Sequence, residues 1–296
     1  MSADPSFVLH YASTDRSVWK SHPARVFVLD SSFNPPTLAH LQYIRTACSG
    51  SLVLAAGDPS DPGAIRTPVR CEPFEYAVLL FTANNVDKPH ISGASVSDRI
   101  DMLKASAAQL SRHFPATIFI VATTASGRFI DKSKSLHQFF SSISAPAESV
   151  SPRLFFAMGV DTLVRFVDPK YYPPGSMPVL FREFFKQSTL IYAPRATESV
   201  PVAHASGFNT SPVFELARSC GFVETVLEIV NWDPLATTIS STRAREAFQQ
   251  YHRLASDASE SNTSIAEQLQ AELTHLRKLV SQEILEYVLA KRLYSS

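Results

Sequence analysis

Glycine is scarce in this chain of 296 residues, at 9 against 20 prolines and 20 phenylalanines. Cysteine is scarcer still: Cys48, Cys71 and Cys220 are an odd number with no CxxC or Cys/His spacing. That excludes a disulfide framework and a thiolate zinc site, and it fits a reducing compartment. Net charge is absent, because 27 Lys and Arg balance 27 Asp and Glu, and only 18% of residues are charged. Proteins that coat nucleic acid or anionic membrane need a clustered positive excess to displace counterions, so neither is an expected partner. Any phosphate must be caught locally. No stretch approaches the 18 or so apolar residues of a membrane span, and the N-terminus, with Asp4, lacks a signal pattern. The expected location is cytoplasmic or nuclear. What is present is 45% hydrophobic residues, enough to exclude disorder of the whole chain. At roughly 150 residues per domain, the length allows one elaborated domain or two ordinary ones.

Residues 25–30, Arg-Val-Phe-Val-Leu-Asp, are an apolar run too short for a helix and rich in β-formers. Ser, Asn and Pro punctuation follows, and after Pro35 and Pro36 the residues Leu38, Leu41 and Ile44 fall at helical spacing. The unit reads strand, tight loop, helix. Further strands are expected at 77–82, 117–122, 154–158, 189–193 and 225–230, with helices near 97–110, 162–167 and 181–186. This alternation predicts a parallel sheet wound by crossovers. Because it spreads over residues 25–230, one domain over 25–296 is expected, with 1–24 as an N-terminal extension. Residues 58–73 hold four prolines and 141–152 are rich in Ser, Ala and Pro, so both read as surface loops. Ile265, Leu269, Leu273, Leu276, Val280, Ile284 and Val288 form one amphipathic helical stripe packed on the domain.

Two segments carry chemistry. In Ser31-Ser32-Phe33-Asn34-Pro35-Pro36-Thr37-Leu38-Ala39-His40 a strand ends and a helix begins, where ligands collect in open α/β sheets. Unpaired N–H groups of the helix's first turn suit a phosphate, and Thr37 and His40 share one face three residues apart. In Thr238-Ile239-Ser240-Ser241-Thr242-Arg243-Ala244-Arg245 hydroxyls, backbone donors and a guanidinium converge on another helix start. By residue type alone Phe33 and Trp232 would be core, and Asp161 and the Ser240–Thr242 run helix caps.

Together these segments resemble the nucleotidyltransferase superfamily, whose Gly-x-Phe-x-Pro stretch runs into a Thr-x-x-His or His-x-x-His pair and whose late motif is Ile-Ser-Ser-Thr-x-x-Arg. Met158-Gly159-Val160-Asp161-Thr162-Leu163 is similar to the Gly-x-Asp-x-Leu segment of nicotinamide mononucleotide adenylyltransferases. Residues 95–103, 189–195 and 286–294 add weaker likeness, and residues 81–88 point to a divergent fungal branch. Ser31 stands where the signature usually has glycine, and Ala39 where glycine often precedes the histidine; a side chain there narrows the space for a phosphate.

The resemblance implies a Rossmann-like, doubly wound α/β sheet with helices on both faces. It implies adenylyl transfer from ATP to nicotinamide or nicotinic acid mononucleotide, giving the dinucleotide and pyrophosphate. It assigns His40, Thr37 and Arg245 to catalysis. Ser32, Phe33, Asn34, Thr37, His40, Ser240, Ser241, Thr242 and Arg245 are assigned to ATP, and Lys88, Gly159, Asp161 and Trp232 to the mononucleotide. Mg2+ is expected to ride on the triphosphate, with no tightly bound cofactor and no resident metal. Homo-oligomerisation is left open. Two other readings share these residues: a divergent member that hydrolyses ATP or uses another nucleotide, and a catalytically weak nucleotide-binding regulator.

Overall fold

The computed structural model describes residues 7–19, 24–82, 93–143, 151–194, 209–257 and 263–295. Among these the chain runs through β1 (Phe7–Ala12), β2 (Arg25–Ser31), α1 (Leu38–Cys48), β3 (Val53–Ala56), β4 (Val69–Arg70), β5 (Tyr76–Thr82), α2 (Val96–His113), β6 (Ile118–Thr124) and α3 (Phe129–Ile143). It continues through β7 (Arg153–Gly159), α4 (Val160–Phe166), α5 (Met177–Gln187), β8 (Ser188–Ala193), α6 (Ser211–Ser219) and β9 (Val226–Ile229). The last elements are α7 (Pro234–Thr237), α8 (Ser241–Asp257), α9 (Thr263–Leu276) and α10 (Gln282–Ala290).

The continuous apolar runs become the centre of the sheet because only strands buried on both faces tolerate apolar side chains at every position. Strand β2 pairs in parallel with β5 from Val26↔Tyr76 to Ser31↔Phe81, and with β7 from Arg25↔Arg153 to Leu29↔Ala157. The parallel strands lie in the order β6-β5-β2-β7-β8-β9. In chain order this is third, second, first, fourth, fifth, sixth, the arrangement of a doubly wound dinucleotide-binding sheet. Its winding reverses between β2 and β7, so their C-terminal ends splay and leave a crevice there.

Each face has its own core. Helices α1 and α2 bury Leu41, Ile44, Leu103 and Leu110 against Phe27, Leu79 and Val121. Helices α3 to α6 bury Leu136, Phe140, Leu163, Phe181 and Phe214 against Val28, Phe156 and Tyr192. A third cluster gathers Met102 of α2 with Phe248, Leu276, Ile284 and Val288, and this docks the C-terminal helices beside the sheet.

Several elements went unread in the sequence. Residues 7–12, inside the stretch set apart as an extension, form β1, an antiparallel edge on β6. β3 and β4 close the other edge, antiparallel on β9, so residues 58–73 are a loop except at Val69–Arg70. Helix α3 was also unread, and so was α6. The single C-terminal stripe resolves into α9 and α10. Leu276, Leu279 and Val280 stay buried through the bend, so the apolar period survives while the backbone turns. The bend frees the Leu279 carbonyl, which accepts a hydrogen bond from Leu38 N–H at 2.8 Å. Of the second loop expectation, residues 144–150 lie outside the described residues.

Candidate active site

At the crevice between β2 and β7 lies a cavity of about 290 Å3. Its wall is made by Asp30 and Ser31 ending β2, Thr37, Ala39, His40 and Tyr43 of α1 and its cap, Gly159 and Asp161 at the β7–α4 junction, and Trp232, Ser240 and Ser241. Residues some 200 positions apart in sequence therefore share one space.

His40 is the best-defined of them. Thr37 N–H donates to its Nδ1 at 3.0 Å, and the two residues close a capping box on α1. A backbone N–H can only donate, so Nδ1 is an acceptor and the neutral ring carries its proton on Nε2. Nε2 in turn lies 2.9 Å from Ser31 Oγ. Burial pushes the imidazole down from its ordinary 6.5 to about 4. At neutral pH it is an uncharged hydrogen-bond donor.

The signature loop is held from behind. Phe33 is wholly buried, packs its ring 5.0 Å from that of His40, and takes a left-handed backbone (φ 44°) that costs about 1–2 kcal/mol for a side-chain-bearing residue. Asn34 is equally buried, and its Oδ1 accepts from Ala94 N–H at 3.2 Å and from Tyr294 Oη at 2.9 Å. Both side chains anchor the loop from behind, and neither lines the cavity. A Cβ on Gly93, which adopts φ 120°, would stand 2.9 Å from the Asn34 amide, so that close approach needs glycine. The helix end is also less open than expected. Leu38 N–H is taken by Leu279 and Thr37 N–H by His40, so two donors for an anion are spent inside the protein.

The late motif grips the early one. Ser241 Oγ donates to the Pro35 carbonyl at 2.7 Å, and Arg245 Nη1 to the Asn34 carbonyl at 2.7 Å. Arg245 Nη2 lies 3.3 Å from Thr242 Oγ1. Ser240 Oγ caps α8 by accepting from Arg243 N–H at 3.2 Å. Ser32 and Thr242 are exposed and, like Arg245, do not line the cavity. Lys88 and Arg195 lie outside the described residues.

On the opposite wall, a Cβ on Gly159 would stand 2.9 Å from Asp161 Oδ1, so glycine lets that carboxylate fold back against β7. Trp232 tilts against Tyr43 with ring centroids 4.2 Å apart, and Tyr43 Oη donates to the Met158 carbonyl at 2.9 Å. Three residues were missed in the sequence. Tyr43 hides at a core position of α1. Asp30 and Lys132 form an ion pair, 9% and 4% exposed, with Thr82 Oγ1 also donating to Asp30 Oδ1 at 3.1 Å. A carboxylate closing an apolar strand was the available signal for Asp30; nothing in α3 marked Lys132 as its partner. Among the described residues no group of three or more His, Cys, Asp or Glu could hold a metal, and no helix is long and apolar enough to cross a membrane.

No family model matches the chain. A curated relative from Schizosaccharomyces pombe, named "Putative nicotinamide mononucleotide adenylyltransferase", is 30% identical over 166 residues, which is 56% of this chain and 51% of the relative. The chain therefore spans about half the length of the curated relative it matches. Two structures of Plasmodium falciparum nicotinic acid mononucleotide adenylyltransferase, complexed with NaAD and with APC, share 12% identity with it. They superpose with TM-scores of 0.52 and 0.51, covering 91% and 92% of this chain and 97% and 98% of theirs. The chain has the Rossmann-like α/β fold of the nucleotidyltransferases and is similar, in part of its sequence and in nearly all of its fold, to mononucleotide adenylyltransferases.

Proposed function

We propose that the protein transfers the adenylyl group of ATP to nicotinamide or nicotinic acid mononucleotide, forming the dinucleotide and pyrophosphate. The observation that carries this reading is the meeting of the two motifs: Ser241 and Arg245 hold the loop that presents His40, and Ser240 and Ser241 share its cavity. The likeness in fold and sequence to adenylyltransferases of both mononucleotides supports it.

The attacking 5′-phosphate is already an anion, so no general base is needed. What remains is alignment and neutralisation of the charge that builds on the α-phosphoryl oxygens and the departing pyrophosphate. His40, neutral and with Nε2–H directed at Ser31 on the cavity wall, fits the task of supplying hydrogen-bond donation toward that charge. The N-terminus of α8, a helix of 17 residues, adds its dipole beside Ser240, where a β- or γ-phosphate fits. Arg245, half-buried against the loop, contributes positive charge and fixes the loop's backbone. Asp161 suits a ribose hydroxyl or the pyridine side of the mononucleotide, and the Trp232–Tyr43 pair offers an aromatic face for a base. Mg2+ enters with the triphosphate, since magnesium keeps several waters and takes phosphate oxygens as ligands.

His40→Ala should lower kcat for dinucleotide formation by about 100-fold or more, the usual scale for a preorganised transition-state donor, with the fold intact by circular dichroism. Arg245→Ala should instead raise the ATP KM by about tenfold or more. Unchanged ATP kinetics in Arg245→Ala would reduce the late motif to a helix cap.

A further inference from the structure

The hydroxyl of Ser31 sits at the cavity wall 2.9 Å from His40 Nε2, at the last paired residue of the central strand. Because Thr37 N–H fixes Nδ1 as the acceptor, Nε2–H is the donor in this contact. Ser31 therefore cannot be a nucleophile activated by His40, since the nitrogen facing it already holds a proton. A serine hydroxyl has one proton and two lone pairs. The bond from Nε2–H uses a lone pair and leaves the proton unspent, and the Ser31 hydroxyl makes no other hydrogen bond among the described residues.

We propose that Ser31 is a catalytic residue that relays the His40 hydrogen bond. The chain runs Thr37 N–H to Nδ1, Nε2–H to Ser31 Oγ, and Ser31 O–H to a phosphate oxygen of the bound nucleotide. Every bond points the same way, so each polarises the next and strengthens the terminal donor. The group that touches the phosphate is then a hydroxyl, with the imidazole one bond behind it. Oγ also occupies the space through which Nε2–H would otherwise reach the anion directly. The two steric consequences differ: alanine removes the relay and keeps Cβ in the way, whereas glycine removes both.

This inference rests on the nucleotide reading of the cavity, and the test separates the two. Mg-ATP affinity by calorimetry and dinucleotide turnover are measured for the wild type and for Ser31→Ala, Ser31→Gly and Ser31→Thr. Loss of one hydrogen bond to a charged group predicts a fall of about 10- to 100-fold in the Mg-ATP affinity of Ser31→Ala, carried into kcat/KM. Ser31→Thr keeps the hydroxyl and should remain within a few-fold of wild type. Ser31→Gly should exceed Ser31→Ala, because His40 Nε2–H then reaches the phosphate itself. A residue that only fills space would give Ser31→Ala equal to or better than wild type, and that result overturns the relay. Should wild-type protein bind Mg-ATP but form no dinucleotide, adenylyl transfer fails and the order of the four affinities still decides the relay. Should it not bind Mg-ATP at all, both readings fall.

Discussion

At the scale of single residues, the role proposed for His40 rests on its hydrogen bonds more than on its basicity. Its tautomer is set by the Thr37 backbone, and burial holds it at about 4 against an ordinary 6.5. His137, whose two ring nitrogens are buried without a partner among the described residues, is likewise held at about 4 by burial. Between about pH 4 and 6.5 the unfolded chain binds protons at these rings that the native protein does not. Stability therefore falls as pH drops through that window and is level, as far as these groups matter, above it; each histidine contributes on the order of 2 kcal/mol. Urea denaturation at pH 7.5 and pH 5 should show that loss, and His40→Gln should reduce it. A ring-nitrogen NMR titration should find His40 neutral with its proton on Nε2 down to pH 5; a midpoint near 6.5 would contradict the donor role. An acid limb in the rate near pH 6 is expected all the same, from the second ionisation of the substrate phosphate.

At the scale of elements, the short tail after α10 reaches the loop that presents His40. Tyr294, beyond α10, places its hydroxyl on Asn34 Oδ1 and its ring 5.9 Å from that of Phe248 on α8. Tyr294→Phe deletes one buried hydrogen bond and should cost about 1–2 kcal/mol of stability while raising the ATP KM, measured by urea melts and initial rates. An ATP KM equal to wild type would mean that the tail braces the fold and not the loop. Such contacts explain what was legible in the sequence. Continuous apolar runs such as Val26–Leu29 announced the inner strands, and the hydroxyl- and proline-marked helix starts announced both motifs. The edges did not show, because β1 is half-buried with no clean alternation and β3 has only four residues. Phe33 and Asn34 belong to the loop that the resemblance ties to ATP, and such a motif states proximity without saying which face a side chain takes. Only the third dimension shows the Gly93 and Tyr294 surface behind them.

At the scale of the molecule, the sheet's order puts its switch point where the two motifs end, and the two faces are tied together there. Lys132 comes from α3 on one face to Asp30 at the end of β2, one residue before Ser31. Lys132→Met leaves the Asp30 carboxylate buried and unpaired, which should cost about 3–5 kcal/mol; adding Asp30→Asn should recover most of it. Equal loss in single and double variants would show that the two groups do not act as a pair. The overall neutrality of the chain is compatible with a triphosphate substrate because hydrogen-bonding groups of His40, Ser240 and Ser241 line the cavity, while Arg245 holds the loop that presents them. Adenylyl transfer is put to the test by incubating purified protein with Mg-ATP and either mononucleotide and quantifying dinucleotide, pyrophosphate and orthophosphate together. Dinucleotide and pyrophosphate should appear in equal amounts, only when a mononucleotide is supplied. Orthophosphate released at the same rate with or without it, and no dinucleotide, would rule adenylyl transfer out.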